Sequence, residues 1–194
     1  MRLIAFDLDN TLAESKQPIT PMMADLLSKL LEKRMVAVTS GGMREQLEKQ
    51  VVRNLPRGAN LRNLFLLPTS GGALFTFNGS WKQVYQECIP KKHVRHISNA
   101  LLQAAKDTGV VDFSKRPYGE RIEYRGAEVT FSALGQEAPI KEKAAWDPDM
   151  EKREKLRARA AELLPQYDVK RGGATSIDVT AKGVNKAYGI RKLA

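Results

Sequence analysis

Two acids two positions apart, Asp7 and Asp9, with Thr11 two further on, are the side chains of this chain best placed by type and spacing to do chemistry. The apolar run Leu3-Ile4-Ala5-Phe6 before them predicts a buried parallel strand that delivers both acids at its carboxyl end. In an open α/β sheet, ligands bind at that end. A strand-to-loop turn there can point both carboxylates into one pocket. Such a pair attracts a hard divalent cation, and one member can act as nucleophile while the other handles protons. The competing reading is an acidic turn that ends a strand. The strand before the acids and Asn10-Thr11-Leu12 after them favour chemistry.

The elements that must hold this pair follow from periodicity. Thr20-Pro21 reads as N-cap and first helical position. Met23, Leu26, Leu27, Leu30 and Leu31 then form a helical stripe to about residue 33. Met35 to Thr39 predicts a second buried strand, broken by Ser40-Gly41-Gly42 into a helix with Met43, Leu47 and Val51 on one face. Leu64 to Leu67 is a third strand, and this alternation predicts a parallel, doubly wound sheet. Thr-Ser-Gly-Gly occurs at 39–42 and again at 69–72, each time ending a core strand where glycine permits a sharp turn or close approach to a ligand.

After residue 73 the pattern changes. Ala73 to Phe77 and Trp81 to Tyr85 flank Asn78-Gly79, a hairpin signal. A helix is expected over 91–106, strands over 121–124 and 128–132, and a helix from Asp147-Pro148 to Leu164. Val169 and Ser176 to Thr180 are read as further strands. Lys141, Glu142 and Lys143 read as a charged loop. Antiparallel strands with two helices inserted into a parallel chain suggest an α+β cap domain at 82–181, with residues 1–81 and 182–194 forming the core.

The chain has 194 residues, 42% of them hydrophobic, enough for one core plus a smaller inserted domain. No apolar run reaches the roughly 20 residues of a membrane span, and a core strand at the start leaves no room for a signal peptide. The one cysteine, Cys88, excludes an intrachain disulfide and suits the cytoplasm; it is read as a small half-buried strand residue. A formal charge of +10 invites a nucleic-acid reading. The basic residues are interleaved with acids, however, as in Glu151-Lys152-Arg153-Glu154-Lys155, and no RNA-binding or metal-finger signature accompanies them. No specific nucleic-acid or membrane partner is therefore expected; the positive field suits a phosphorylated small-molecule substrate. His93 and His96, three apart on a predicted helix, lack a third ligand nearby and read as surface residues.

Asp7-Leu8-Asp9-Asn10-Thr11, preceded by its apolar strand, resembles the first motif of the haloacid dehalogenase superfamily of phosphotransferases, Asp-x-Asp-x-Thr/Val. Val38-Thr39-Ser40-Gly41-Gly42 is similar to the second motif. Gly183-Val184-Asn185-Lys186 resembles the third motif of its IIB-type cap class. The resemblance implies a Rossmann-like parallel-sheet core with an inserted cap. It makes Asp7 the nucleophile, Asp9 the acid and base, Ser40 and Lys186 the groups that hold the phosphoryl, and Asp7 and Asp9 ligands of Mg²⁺.

Ile122-Glu123-Tyr124-Arg125-Gly126, Phe131-Ser132-Ala133-Leu134-Gly135 and Gly172-Gly173-Ala174-Thr175-Ser176-Ile177-Asp178-Val179 resemble segments of the eukaryotic-type phosphomannomutases. That likeness assigns substrate contacts to Arg125, Ser176, Asp178 and Lys143. Two phosphate-contacting arginines of that family fall on Gln136 and Lys143, and Gln136 lacks the permanent charge and bidentate fork. The family's fourth, acidic motif lies beyond Lys186 and has no match here, so the C-terminal part of the core is expected to be missing. The leading expectation is a Mg²⁺-dependent phosphatase acting on a phosphosugar-like metabolite through an aspartyl-phosphate. The alternatives are a phosphosugar mutase and a catalytically idle fragment that binds phosphorylated ligands or a partner subunit. Oligomeric state stays open, a cap-mediated homodimer included.

Overall fold

A computed structural model describes residues 2–14 and 16–193. Two compact units emerge, the first comprising residues 1–87 and 184–194 and the second residues 88–183.

The first unit is a five-stranded sheet in the order β1 (Leu3–Asp7), β2 (Met35–Thr39), β3 (Leu64–Leu67), β4 (Ala73–Phe77), β5 (Trp81–Gln86). β1, β2 and β3 are parallel, as the strand–helix alternation predicts. β4 and β5, joined through Asn78-Gly79, extend the same sheet antiparallel. The sheet is therefore mixed, and because β5 belongs to it, the first unit runs to Glu87 and not to residue 81.

Two helices, α1 (Pro21–Leu31) and α2 (Arg44–Gln50), supply Leu27, Leu31 and Leu47 to the core on one face of this sheet, against Val36, Val38, Leu64 and Leu66. The Thr20 hydroxyl accepts the Met23 N–H at the start of α1, with Pro21 in its first turn. On the opposite face, Ala37, Leu67 and Leu74 pack with Ile190 and Leu193 of the last helix.

β1 departs from the buried strand expected of it. Among the described residues it pairs only with β2, and Ala5 is exposed. Its anchor is the next residue, Leu8, whose side chain is completely buried. Cys88 also differs from expectation: it is exposed and lies beyond the end of β5.

The second unit is an antiparallel sheet in the order β6 (Ile122–Tyr124), β7 (Glu128–Ser132), β9 (Ser176–Ala181), β8 (Tyr167–Arg171). Strand alternation divides its faces. Val129, Phe131, Val169, Ile177 and Val179 pack with Ile97, Leu101, Leu156 and Ala160 of α3 (Lys91–Thr108) and α5 (Glu151–Leu163). The other face carries Glu128, Thr130, Ser132, Ser176, Asp178 and Thr180. α3 ends where Gly109 takes φ 63°, a left-handed C-cap.

Two segments differ from the sequence reading. Lys141, Glu142 and Lys143 lie in a helix, α4 (Ile140–Trp146), which Ala144 and Ala145 favour and which starts after Pro139. Asp147-Pro148 does not begin the next helix, which starts at Glu151. Asp147 still caps it from a distance, its carboxylate accepting the N–H groups of Lys152 (2.9 Å) and Arg153 (3.1 Å).

Candidate active site

The tips of β1, β2 and β3 are tied together by main-chain hydrogen bonds: Leu8 N–H to the Thr39 carbonyl (3.0 Å) and Ser40 N–H to the Leu67 carbonyl (3.1 Å). Burial of Leu8 points its side chain into the core, and the alternation of the chain leaves Asp7 and Asp9 outside it. The loop is compact, since the Leu8 carbonyl accepts the N–H groups of Thr11, Leu12 and Ala13, and Asn10 adopts φ 59°.

Each acid is held. Asp7 accepts the Leu8 N–H at Oδ1 (3.0 Å) and the Lys186 ammonium at Oδ2 (2.8 Å). Asp9 accepts the Lys16 N–H at Oδ1 (3.0 Å), and the Ser40 hydroxyl approaches its Oδ2 at 3.5 Å. Ser40 is buried, and its Oγ accepts the Gly42 N–H at 3.0 Å. Lys186 opens α6 (Lys186–Leu193), whose first turn is capped by the Asn185 side chain accepting the Tyr188 N–H (2.9 Å). Asp7, Asp9, Ser40 and Lys186 thus meet at one end of the first sheet.

This donor set fits a magnesium ion. Mg²⁺ takes hard oxygen ligands and is commonly held by one or two carboxylates, the remainder being water and substrate phosphate. Asp7 and Asp9 provide two carboxylates beside a lysine. Among the described residues there is no group of three or more His, Cys, Asp or Glu side chains arranged around a common metal position.

Beside β3 and α6 the structure shows features that the sequence marked only in part. Three successive residues after β3, Thr69, Ser70 and Gly71, have φ of 48°, 56° and 83°. The Tyr85 hydroxyl donates to the Gly71 carbonyl (2.9 Å), and the Tyr188 hydroxyl donates to the Glu87 carboxylate. Burial, then the neighbouring Tyr188 and Glu87, push the Tyr85 hydroxyl up to about 12. Thr39 and Thr69 hydroxyls are buried without a hydrogen-bond partner among the described residues. The second Thr-Ser-Gly-Gly was the signal available in sequence; nothing there marked Tyr85 or Tyr188.

In the second unit, Ser176 and Asp178 share the polar sheet face, and Asp178 stands in register between Thr130 and Lys170. Arg125 follows β6 and donates to Glu123 (2.6 Å) and Glu128 (3.2 Å). Burial alone would lower the Arg125 pKa, but Glu123, Glu128 and Asp178 together raise it. Arg125 and Asp178 therefore share one electrostatic cluster. Lys143 is placed elsewhere, on α4, where its ammonium donates to the Gln136 carbonyl (2.8 Å). His93 and His96 do not form a metal pair: the Tyr167 hydroxyl lies 2.7 Å from His93 Nδ1, and Gln166 Nε2 lies 3.4 Å from His96 Nε2.

A mixed sheet carrying paired acids, a serine and a helix-opening lysine at its strand tips defines a class, and the comparisons agree. The haloacid dehalogenase-like hydrolase family profile matches residues 4–194, and the chain belongs to that family. It is 25% identical over 203 residues to phosphomannomutase 1 of Mus musculus, covering 98% of this chain and 73% of the mouse protein. The probable phosphomannomutase of Caenorhabditis elegans is also 25% identical, over 202 residues, with 98% and 76% covered. Among solved structures, Plasmodium falciparum IMP-nucleotidase superposes with a TM-score of 0.66 at 18% identity, over 98% of this chain. The chain spans 55% of that nucleotidase. A trehalose-6-phosphate phosphatase related protein superposes with a TM-score of 0.51 at 20% identity, covering 99% of this chain and 73% of that one. At these identities the structural likenesses speak for the fold.

Proposed function

We propose that this chain is a magnesium-dependent phosphatase that hydrolyses a phosphosugar-like metabolite through an aspartyl-phosphate on Asp7. The observation that carries this reading is the 2.8 Å contact of Lys186 with Asp7, beside Asp9 and Ser40 at the sheet end. Asp7 attacks phosphorus while Asp9 protonates the departing sugar oxygen, a transfer of the kind that contributes about 10²–10⁴-fold. Asp9 then takes a proton from the incoming water, whose oxygen attacks phosphorus; the Asp7–phosphate bond breaks and free phosphate leaves. Ser40 donates to a phosphoryl oxygen, and Lys186 offsets the charge shared by Asp7 and the phosphoryl. Mg²⁺, held by Asp7 and Asp9, would supply charge neutralisation between carboxylate and phosphate. Arg125, Ser176 and Asp178 are assigned to sugar recognition, and Lys143 to a lesser contact with its phosphate. Its work is placed in the cytoplasm, where a lone thiol such as the exposed Cys88 stays reduced.

The relatives named phosphomannomutase favour a second reading, phosphosugar mutase activity. A mutase must grip a second phosphate, and Gln136 gives that grip no charge. One assay separates the readings: the protein with Mg²⁺ and a panel of hexose phosphates, following free phosphate and isomerised sugar phosphate separately. Phosphate release abolished by Asp7→Asn supports the phosphatase. Isomer without release supports the mutase, and neither product with any sugar overturns both.

A further inference from the structure

We infer that the arch formed by residues 69–72 sets the position of Lys186, making Gly71 and Gly189 positioning residues for the phosphoryl chemistry. This rests on the role given to Lys186 above. The arch is conformationally costly: Thr69 and Ser70 both take positive φ, 48° and 56°, followed by Gly71 at 83°. A β-branched residue is rarely found there. Strained backbone of this kind persists where its surroundings fix it on several sides.

Those sides can be named. Towards β2, Thr69 N–H donates to the Gly42 carbonyl (2.9 Å) and Ser70 N–H to the Ser40 carbonyl (2.9 Å), so the arch is bonded to the segment that carries Ser40. Towards β5, the Tyr85 hydroxyl donates to the Gly71 carbonyl (2.9 Å) and Glu87 N–H to the Gly72 carbonyl (2.7 Å). Towards α6 the backbones touch directly. A Cβ on Gly71 would stand 2.7 Å from the Asn185 carbonyl oxygen, and one on Gly189 would stand 2.9 Å from the Gly71 Cα.

Gly189 lies one turn beyond Lys186, and its N–H donates to the Asn185 carbonyl (3.0 Å). The missing side chains at 71 and 189 therefore fix how closely the start of α6 approaches the strand tips. That approach decides whether Nζ reaches Asp7. Glycine inside a helix is otherwise unfavourable relative to alanine, and here close packing gives it a reason. One strained arch thus registers Ser40 on its β2 side and Lys186 on its α6 side.

The test is Gly189→Ala in the full chain, with Arg191→Ala as a control elsewhere in α6. A crystal structure of G189A is expected to show Lys186 Nζ beyond hydrogen-bond reach of Asp7. Melting temperature should fall, whereas an unobstructed Gly→Ala change in a helix would raise it. With p-nitrophenyl phosphate and Mg²⁺, kcat should drop by about 10²-fold, the loss that a misplacement of roughly 1 Å can cause, with KM little changed and R191A like wild type. If G189A does not fold, Tyr85→Phe frees the Gly71 carbonyl without adding bulk, and should lower kcat severalfold at constant KM. An Nζ still bonded to Asp7 in G189A, or in Y85F where G189A does not fold, overturns the inference. Unchanged turnover in Lys186→Ala would instead overturn the role of Lys186 while leaving the structural result standing.

Discussion

Lys186 and Asp7, separated by 179 positions, meet at 2.8 Å between Nζ and Oδ2. Asp7 sits at the tip of β1 and Lys186 is the first residue of α6, so their contact joins the two chain segments of the first unit.

Removing that ammonium should cost turnover more than binding. Lys186→Ala is expected to lower kcat by about 10²–10³-fold, the loss seen when one preorganised electrostatic donor is deleted. Steady-state kinetics on the best substrate of the hexose phosphate panel will show it; an equal rise in KM with kcat intact would contradict it.

Leu8 holds the loop that carries both acids. Its side chain is fully buried with Leu12, Leu27 and Leu47 in the same core. Leu8→Ala should destabilise the first unit by about 3 kcal/mol through lost contacts and a cavity. Urea unfolding followed at Trp81, which packs against this core, measures it.

Acid should weaken the second unit through Asp147. Burial pushes its carboxyl up, but the Arg153 guanidinium at 2.7 Å and the N–H groups of Lys152 and Arg153 outweigh this and hold it below the usual range. A depressed carboxyl contributes stability above the unfolded pKa of about 3.9 and loses it as pH falls through the lower folded value. Arg153→Ala keeps both backbone N–H groups, so it should weaken that pH dependence and, at neutral pH, cost about 3 kcal/mol by leaving a buried carboxylate without its cation. Trp146 fluorescence during unfolding at a series of pH values reads both effects.

Alkali should act on the first unit. Because Tyr85 is raised to about 12, its contribution is intact below the unfolded tyrosine value near 10 and disappears as pH rises through the folded one. Tyrosinate absorbance should lose a late-titrating component in Tyr85→Phe, and the variant's stability should fall less steeply with alkali.

Much of this molecule was legible from pattern alone because its strands and helices obey clean periods. Leu64 to Leu67 and the Asn78-Gly79 hairpin stand where spacing put them. Asp7 and Asp9 were proposed from their spacing after an apolar run, and Ser40 and Lys186 from the motifs that carry the family resemblance; each of the four ends or follows a strand or opens a helix. Burial of β1 was not, since an apolar run tells nothing of how many neighbours a strand has. Nor was α4: Lys141-Glu142-Lys143 suits a solvated helix as well as a loop, and only the alanines after it tip the balance. A sharp turn at 69–72 was legible from its glycines, but left-handed conformation at Thr69 and Ser70 was not, because it runs against their local preference and is held by partners distant in sequence.

Segment order also has a bearing on synthesis. Residues 88–183 form one uninterrupted stretch, whereas the first unit takes its parts from both sides of that stretch. On the ribosome, all the residues of the second unit are made before α6 exists, so β1 is complete well before Lys186 is available to Asp7. Every fragment that stops short of residue 186 therefore carries Asp7 without the ammonium that it meets in the full chain.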